Sequence, residues 1–481
     1  ARDITYVKGT AYWADNLSRV YEYTLIDSFE KVSNDKKAYC AAFMTQYREQ
    51  DAISGATLVQ PHRNGFVVVN SPAMPLSRNE LDAVYDLPYT RLPHPSYTEH
   101  IPALDEVRFS LVSCRGCYGQ CAFCALTFHQ GRVIQSRSHE SLIAEAKLMT
   151  KMPEFKGYIH DVGGPTANFR QPACKKQLTK GVCKDRTCLG YSPCKNVEVS
   201  HTDYVELLRK LRRLDGVKRV FIRSGIRYDY LMYDKDETFF KELIKYHISG
   251  QLKVAPEHID DHVLEMMGKP GGELYQRFVR RYKQLNDALG MNQYIVPYFM
   301  SSHPGSTLNS AIALAEYLKA SGQRPEQVQD FYPTPGTLST CMFYTGLDPR
   351  TMKPVYVPVS PEEKAMQRAL MQFFIPKNRP LVRKALRLAD RDDLIGSGRN
   401  CLVPDVHQSP AHSGGSSSAT KSNHRSQYGA TEHSAGKRKD ARQNTRFGFP
   451  EQSRSIGPNR GVQGKKTVKT SDKRSGVKKH R

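Results

Sequence analysis

The chain has 481 residues, of which 39% are hydrophobic and 25% are charged, and its formal net charge is +23 at pH 7. This length is enough for two or three domains with a substantial core. No apolar run is long enough for a membrane helix, so the sequence indicates a soluble protein and predicts no membrane partner. It also has no leader with a charged and then an apolar segment, so it predicts no signal peptide.

The chain begins ARDITYV, without a methionine, and we interpret it as a fragment of a longer protein. Its eleven cysteines, without a secretory signal, favour a reducing compartment, so we expect a cytoplasmic protein. In such a compartment a dense group of cysteines is more often a metal site than a disulfide framework.

Residues 1–100 have mixed patterning and are predicted to be the end of one domain and its connection to the next. In this part, HRNGFVVVNSPAMPLS (62–77) predicts a strand that enters a proline-rich loop. The segment SRNELDAVYDLP (77–88) predicts a short helix, with Ser77 or Asn79 as its cap.

Residues 101–340 form the predicted core, in which β-rich runs alternate with helical patterns. The six runs are 106–113, 157–162, 217–223, 250–255, 292–300 and 326–332. The predicted helices lie near 139–151, 202–213, 236–247, 259–267, 273–289 and 307–320. This alternation predicts an α/β fold with a parallel sheet and right-handed crossovers. Because six units do not fill an eight-stranded barrel, we predict a partial (β/α)6 barrel with its chemistry at the carboxyl ends of the strands.

Residues 341–400 are predicted to be a helical extension, because PEEKAMQRALMQFF and PLVRKALRLA return to a helical pattern.

Residues 405–481 are poor in apolar side chains and carry +12 of the net charge, so we predict a disordered basic tail. Such a tail attracts phosphate backbones, and weak contact with nucleic acid is one hypothesis. A solubilising extension is the preferred alternative.

The segment CRGCYGQCAFC (114–124) has four cysteines in eleven residues. Cys117, Cys121 and Cys124 form a C-x3-C-x2-C motif directly after the first predicted strand of the core. Three thiolates at this spacing can bind three irons of a cubane cluster and leave the fourth iron open to a small molecule. A zinc knuckle that includes Cys114 is the alternative at this point, whereas the crowding disfavours disulfides.

A second group of cysteines lies in a lysine-rich insertion, residues 170–200, that has few apolar side chains. It consists of Cys174, Cys183, Cys188 and Cys194. Four cysteines in such a loop predict a site that folds around a metal, either an auxiliary iron–sulfur cluster or a structural zinc. The alternative is four reduced thiols in a surface loop.

The first cysteine motif, with Phe123 before its last cysteine, resembles the signature of radical SAM enzymes. An ordered set of blocks over residues 60–395 is similar to the YgiQ-type radical SAM proteins. These blocks are RGCYGQCAFC, GRVIQSRS (131–138), DVGGPTAN (161–168), SGIRYD (224–229), KVAPEH (253–258), YFMSSHPG (298–305) and DFYPTPGTLSTCMFYTG (330–346). That family usually has a longer N-terminal domain, in line with a fragment.

The resemblance implies a [4Fe–4S] cluster held by Cys117, Cys121 and Cys124, with S-adenosylmethionine on the open iron and Phe123 near the cofactor. One-electron reduction would then produce a 5′-deoxyadenosyl radical that acts on an unknown substrate. It also implies an electron donor such as flavodoxin or ferredoxin as a partner.

Gly163, Gly164 and Pro165 occupy the place of the glycine-rich element that meets the methionine amino group in radical SAM folds. Glycine lets a backbone approach a ligand closely. A tight turn between strand and helix is the alternative explanation for this Gly-Gly-Pro segment.

Arg223 and Ser224 end the third predicted strand and are expected to contact the ribose or the carboxylate of the cofactor. The alternative pairs Arg223 with Asp229 on a solvated loop. Glu257, at the end of the fourth strand, is expected to bind a ribose hydroxyl or to act on the substrate. His258 is expected to cap the helix that follows.

Two hypotheses from other functional classes remain open on the sequence alone. In the first, the chain is a nonenzymatic iron–sulfur or zinc protein with a structural cysteine knuckle. In the second, it is an RNA-associated scaffold recruited through its basic tail.

Overall fold

The computed structural model describes residues 4–405, so the predicted tail lies outside the described residues apart from Asp405. The N-terminal part contains a four-stranded sheet in the order β1-β4-β3-β2. Its elements are β1 (Ala11–Ala14), β2 (Tyr23–Leu25), α1 (Phe29–Asn34), α2 (Lys36–Arg48), β3 (Thr57–His62), β4 (Gly65–Val69) and α3 (Arg78–Tyr85). Of the four strands in this sheet, the sequence predicted only β4, and it also predicted the helix α3. Ser77, and not Asn79, caps α3, in a capping box with Glu80.

The central part alternates strands and helices as predicted. Its first half contains α4 (Pro102–Val107), β5 (Ser110–Val112), β6 (Cys114–Arg115), α5 (Leu126–Gln130), β7 (Gln135–Ser136), α6 (His139–Thr150), β8 (Tyr158–Ile159), β9 (Asp161–Gly163), α7 (Lys176–Lys180) and α8 (Thr202–Arg212). Its second half contains β10 (Arg219–Val220), α9 (Tyr228–Tyr233), α10 (Thr238–Glu242), a π-helical turn (Leu243–His247), β11 (Gln251–Glu257), α11 (Asp261–Met267), α12 (Gly272–Ala288), β12 (Tyr294–Ser301), α13 (Leu308–Ala320) and β13 (Gln329–Asp330).

The strands β5 and β8 to β13 of this part pair in parallel. β5 pairs with β9, β8 pairs with β10, and β11, β12 and β13 form one sheet. Each parallel pair aligns the carboxyl ends of its two strands, as the α/β prediction requires. Within the described residues the strands do not close into a barrel, because β5 hydrogen-bonds only to β9.

One predicted strand is wrong in its first part. The run 106–113 begins inside α4 and becomes extended only at β5. Pro102 lies at the start of α4, where its fixed φ and missing N–H suit the first helical turn.

The core lies between the parallel strands and the crossover helices. Leu142 of α6, Leu208 of α8, Phe278 of α12 and Ile312 of α13 are all buried in one apolar cluster. Burial of these helix faces removes apolar area from water and fixes each helix against the sheet. The strand ends are thereby held in place.

The C-terminal extension is helical, as predicted, with α14 (Leu338–Thr345), α15 (Pro361–Met371), α16 (Arg379–Leu388) and short 3₁₀ turns at Pro376–Asn378 and Asp392–Leu394. Leu370 and Leu386 join the same apolar cluster, so these helices extend the core. Among residues 4–405, no helix combines the length and the apolar character needed to cross a membrane.

Candidate metal centre

The first cysteine motif lies on a loop that leaves the carboxyl end of β5 and is closed at its base. Strand β6 pairs antiparallel with β7, and the Cys117 N–H donates to Gly131 O at 3.0 Å. Gly116 has φ +85°, and a Cβ on it would lie 2.3 Å from Val133 O. The close approach of the two ends of the loop therefore requires glycine at this position.

The middle of the loop is fixed by its backbone. The Ala122 N–H donates to Met267 O at 2.8 Å, and Ala122 O accepts from the Ser339 N–H at 2.9 Å. A turn follows, in which the Cys124 N–H donates to Cys121 O at 3.0 Å. Because these bonds reach both α11 and α14, the positions of Cys121 and Cys124 depend on the fold rather than on the loop alone.

Hydrogen-bond donors lie beside two of the three sulfur atoms of the motif. Arg227 Nη1 donates to Cys121 Sγ at 3.1 Å, and the Gly119 N–H donates to Cys117 Sγ at 3.4 Å. Thr166 Oγ1 lies 3.5 Å from Cys117 Sγ. Donors of this kind stabilise anionic sulfur, and hydrogen bonds to cysteine sulfurs are one means by which proteins set the potential of iron–sulfur clusters.

Arg227 is buried and strongly held. Its side chain is 9% exposed, and its Nη2 is 2.5 Å from Asp229 Oδ2. Asn168 accepts from the Arg227 N–H at 2.9 Å and donates to Arg227 O at 3.2 Å. Burial alone would lower the pKa of Arg227, but the Asp229 carboxylate beside it raises that pKa well above the usual value. A permanent positive charge therefore lies next to Cys121.

Two of the three thiols hold their protons more strongly than a free cysteine does. Burial raises the pKa of Cys117, and it raises the pKa of Cys124 to about 11, with the neighbouring Cys121 adding to the effect. A metal displaces these protons, because the thiolate is the ligand form of cysteine. The donor set of three thiols with sulfur-directed hydrogen bonds fits an iron–sulfur cluster.

Within residues 4–405, no three His, Cys, Asp or Glu side chains converge closely enough to hold a single metal ion. A cubane cluster takes one thiolate at each of several irons, so its protein ligands surround a volume and do not meet at one point.

Gly163 and Gly164 lie where the backbone of β9 approaches its neighbours closely. A Cβ on Gly163 would collide with the Ser224 hydroxyl, and one on Gly164 would lie 2.6 Å from Cys114 Sγ. Neither position has room for a side chain. Pro165 follows them and is partly buried. The structure thus brings this predicted glycine element next to the start of the cysteine loop.

The side chains of Arg223 and Ser224 point to different surroundings in the structure. Ser224 donates through its hydroxyl and its N–H to the Asp161 carboxylate, next to Gly163. The Arg223 side chain is 41% exposed and pairs with Glu106 at 2.7 Å. The alternative pairing of Arg223 with Asp229 is wrong, because the buried Arg227 takes that carboxylate.

Glu257 lies on the cysteine-loop side of the core. It is buried, has φ +70°, and its nearest cation is Lys269 Nζ at 3.7 Å. Lys269 Nζ also lies 5.9 Å from the centre of the Phe123 ring. Burial raises the pKa of Glu257. The structure therefore places Glu257, Lys269 and Phe123 together beside Cys124.

The predicted helix cap at His258 is wrong. Asp260 caps α11 by accepting from the Val263 N–H, whereas His258 is buried and accepts from the Asp260 N–H through Nδ1. Asp260 lies two residues closer to the helix than His258, and its carboxylate accepts directly from one of the first helical amides.

The second cysteine group is gathered around α7. Gln177 is buried and donates to Cys188 Sγ at 3.6 Å, and Lys176 Nζ lies 3.6 Å from Cys183 Sγ. Burial, together with thiolate charge at the other three cysteines, raises the pKa of Cys188 to about 12. The structure thus brings the four predicted cysteines of this insertion into one neighbourhood.

Sequence reasoning did not single out Arg227, Lys269 or Thr166. Arg227 and Thr166 lie in the quoted blocks SGIRYD and DVGGPTAN, and that position was the available signal. Lys269 lies after α11 and has no such signal, because only the fold brings it to Glu257.

Family descriptions match the chain in three consecutive segments. Residues 1–110 match "Radical SAM N-terminal", residues 111–318 match "Radical SAM superfamily", and residues 326–472 match a domain of unknown function. The cysteine motif and the parallel strands up to β12 fall in the second segment.

Close relatives occur in clostridia. A UPF0313 protein of Clostridium perfringens is 59% identical over 405 residues, which are 84% of this chain and 61% of that protein. A UPF0313 protein of Clostridium botulinum is 58% identical over 400 residues, 83% of this chain and 63% of that protein. The chain therefore spans about three fifths of the length of these relatives.

Among solved structures, the radical S-adenosylmethionine methyltransferase TsrM from Kitasatospora setae is similar at a TM-score of 0.32. The form with cobalamin and a [4Fe-4S] cluster bound is 13% identical, and the match covers 69% of this chain and 73% of that one. The form with tryptophan substrate and a SAM analog bound is 15% identical, over 55% and 44% of the two chains.

Substitution Gly164→Ala tests the close approach of β9 to the cysteine loop. The added Cβ would displace Cys114, so we expect lower iron and sulfide content after anaerobic reconstitution and a loss of stability of roughly 1–3 kcal/mol. Gly225→Ala is the matched control, because nothing lies within 4 Å of a Cβ there. Equal iron content and equal melting temperatures in the two variants would contradict this account of the loop.

Proposed function

Because the chain belongs to the radical SAM superfamily, whose enzymes use a [4Fe–4S] cluster and S-adenosylmethionine, we propose that Cys117, Cys121 and Cys124 hold such a cluster in this protein. Such a cluster would supply one electron to S-adenosylmethionine, which would break the C–S bond between the sulfonium and the 5′ carbon and release methionine and a 5′-deoxyadenosyl radical. That radical would abstract a hydrogen atom from a substrate not yet identified and leave as 5′-deoxyadenosine. The observation that carries the proposal is the hydrogen bond from the buried Arg227 to Cys121 Sγ.

In this proposal, Arg227 neutralises the negative charge of the Cys121 thiolate and orients its sulfur atom. Its guanidinium is permanently charged and makes its shortest sulfur contact at Cys121, so it offsets the negative charge of a bound thiolate. Asp229 fixes the orientation of the guanidinium through both carboxylate oxygens. A structural arginine could not be held at this depth without such a partner, because a buried unpaired charge is costly.

The role of the Gly163–Gly164 segment is to admit the cofactor to the backbone. With no Cβ at either position, the Ser224 hydroxyl and Cys114 Sγ pack directly on the backbone at the end of β9, which brings this backbone beside the cysteine loop. Ser224 and Asp161 hold this edge through the hydroxyl and amide bonds between them. We assign cofactor positioning to Ser224 and not to Arg223, whose guanidinium pairs at the surface with Glu106.

The role of Glu257 is to present a buried polar group next to Cys124. Its distance to Lys269 is too long for a direct hydrogen bond, so its carboxylate retains acceptor capacity. A ribose hydroxyl would satisfy it, and Lys269 would then balance the remaining negative charge. Phe123 lies beside this pair and packs edge to face against His303.

Cleavage of S-adenosylmethionine tests the proposed function. We expect anaerobically reconstituted protein, reduced with dithionite, to form 5′-deoxyadenosine, and we expect Cys121→Ala to form none. Cys401→Ala, outside both cysteine groups, is the control and should retain wild-type product. A wild-type protein with full iron and sulfide content that forms no 5′-deoxyadenosine would instead support a nonenzymatic iron–sulfur protein.

We also propose that Cys174, Cys183, Cys188 and Cys194 hold a second metal centre. An iron–sulfur cluster fits the structure better than zinc, because among residues 4–405 no three such side chains converge on a single ion. The support is their common neighbourhood around the buried Gln177 and the mutual effect of their thiolates on the pKa of Cys188. Four ligands would close the site, so its metal would stabilise the loop or carry electrons.

Measurement of the metal content per chain tests whether the second cysteine group binds a metal. We expect Cys188→Ala to lower bound iron or zinc per chain, because a four-ligand site loses affinity with each thiolate removed. The same variant should retain the iron associated with the first motif, which Cys121→Ala removes. Metal content identical to that of Cys401→Ala would show that the second group consists of free thiols.

A further inference from the structure

A cavity of about 600 Å³ lies between the four-stranded N-terminal sheet and the segment that returns from the cysteine loop. One wall is a face of the sheet, where Leu58 pairs with Val69 and Gln60 pairs with Val67 across β3 and β4. The opposite wall consists of residues in the range 128–133, together with Arg115 of β6. A cavity of this volume is large enough for a small organic ligand.

The sheet is apolar on both of its faces at this point. Successive side chains of a strand point to opposite faces, and Val59 and Val68, on the face turned away from the cavity, are fully buried. An antiparallel sheet with one solvated face usually carries polar side chains there. The cavity face instead carries Val69, which is 42% exposed, and Phe128 on the other wall is 48% exposed. Exposed apolar side chains on both walls indicate a ligand with an apolar body.

Arg132 adds a buried positive charge to this cavity. Its side chain is 3% exposed, and its two Nη atoms donate to backbone carbonyls only, Tyr47 O at 3.0 Å and Cys183 O at 3.3 Å. Its Nε is buried and has no hydrogen-bond partner in the described part of the chain. A buried cation that contacts only neutral groups is costly, so the position of Arg132 favours an anion in the cavity.

The other charged groups of the lining do not supply that anion. Glu49 accepts from Lys184 through both carboxylate oxygens, and Asp51 accepts from the N–H and the hydroxyl of Ser54. Arg115 is exposed and, like Arg132, forms no ion pair with any residue in the range 4–405. Both carboxylates therefore have partners within the protein, whereas neither arginine has an anionic one.

We propose that this cavity binds a small organic carboxylate with an apolar body. Arg132 holds the carboxylate, because a guanidinium donates to such a group in a charge-assisted hydrogen bond. Arg115 adds attraction from the exposed side, and the apolar body packs between the sheet face and Phe128.

This site is separate from the one proposed for S-adenosylmethionine. Among the described residues, no cysteine of either group lines the cavity, and neither do Glu257 and Ser224. The cavity contacts the cysteine loop only from behind, through residues such as Gly131, whose carbonyl accepts from the Cys117 N–H. The inference therefore goes beyond the proposed function and does not depend on it.

A metal centre at the second cysteine group is the other candidate anion for Arg132. The positive charge of Arg132 lowers the pKa of Cys188, against the larger effect of burial, so the two are near each other. However, the hydrogen bond from Arg132 to this group ends on the Cys183 carbonyl and not on a sulfur atom. Arg132 also shares the lining of the cavity with the second unpaired arginine, Arg115. These contacts favour the carboxylate ligand.

The probe is 2-naphthoate, and its uncharged counterpart is 2-naphthamide. Calorimetry measures the Kd of each compound for the full, metal-reconstituted chain, and the bound metal per chain is measured in parallel. The variants are Arg132→Gln and Arg115→Gln, which remove one positive charge each. The control is Arg63→Gln, which removes the charge of an exposed arginine in the turn between β3 and β4 that does not line the cavity.

We expect wild type and Arg63→Gln to bind one 2-naphthoate per chain with equal affinity. Arg132→Gln should bind it about tenfold or more weakly, and Arg115→Gln severalfold more weakly, because each variant loses a charge that faces the carboxylate. The amide should bind wild type and every variant alike, since it carries no charge. Arg115 is exposed, so Arg115→Gln tests the charge dependence even where Arg132→Gln does not fold.

Wild-type protein that binds no 2-naphthoate, or that binds the acid and the amide equally, would overturn the proposal. Equal affinity of wild type, Arg115→Gln and Arg63→Gln for 2-naphthoate would also overturn it. An Arg132→Gln variant that loses metal from the second cysteine group but keeps its affinity for 2-naphthoate would assign Arg132 to that metal centre instead. None of these results requires S-adenosylmethionine cleavage, so each leaves the proposed function standing.

Discussion

The contact between the Arg227 guanidinium and Cys121 Sγ, at 3.1 Å, links the cysteine loop to the parallel strands. A cation at this depth is stable only with a partner, and Asp229 is 1% exposed and binds it through both oxygens. Asn168 fixes the backbone of Arg227 from the end of the neighbouring strand. The ends of β9 and β10 and the cysteine loop therefore share one buried polar network.

Backbone hydrogen bonds and an aromatic pair enclose this network and fix the rest of the site. Ala122 is bonded through its backbone to both Met267 and Ser339, so the loop cannot shift without disturbing α11 and α14. Beneath the loop, Tyr118 stacks on Phe169 with ring centres 3.9 Å apart. This aromatic pair belongs to an apolar cluster against which both Cys117 and Cys188 pack. The two cysteine groups are thus built on one common base, although they are far apart in sequence.

Local patterns in the sequence were sufficient for much of the fold. Apart from the start of the run 106–113, the crossover helices and the parallel strands lie within the segments that periodicity and turn residues predicted, because both signals act over a few residues. The N-terminal sheet was not predicted beyond one strand. Its order β1-β4-β3-β2 brings short strands together from distant parts of the chain, and no local pattern encodes such pairing.

The candidate site shows the same division between local and non-local information. The spacing of Cys117, Cys121 and Cys124 is local, so the sequence predicted the motif directly. The local sequence does not indicate which of two nearby arginines is buried. Arg223 and Arg227 lie four residues apart, and only the packing of α9 buries the second and leaves the first at the surface. Lys269 reaches Glu257 for the same reason, because two elements must pack before the contact exists.

The central claim is that three cysteines hold a cluster with one iron open to S-adenosylmethionine. The most direct measurement is the electron paramagnetic resonance spectrum of the reduced, fully reconstituted chain, recorded with and without S-adenosylmethionine. Coordination at the open iron changes its ligand field, so the account predicts a shift in the g values on addition of the cofactor. Identical spectra at full iron and sulfide content would contradict it, because they would mean that no iron of the cluster accepts the cofactor.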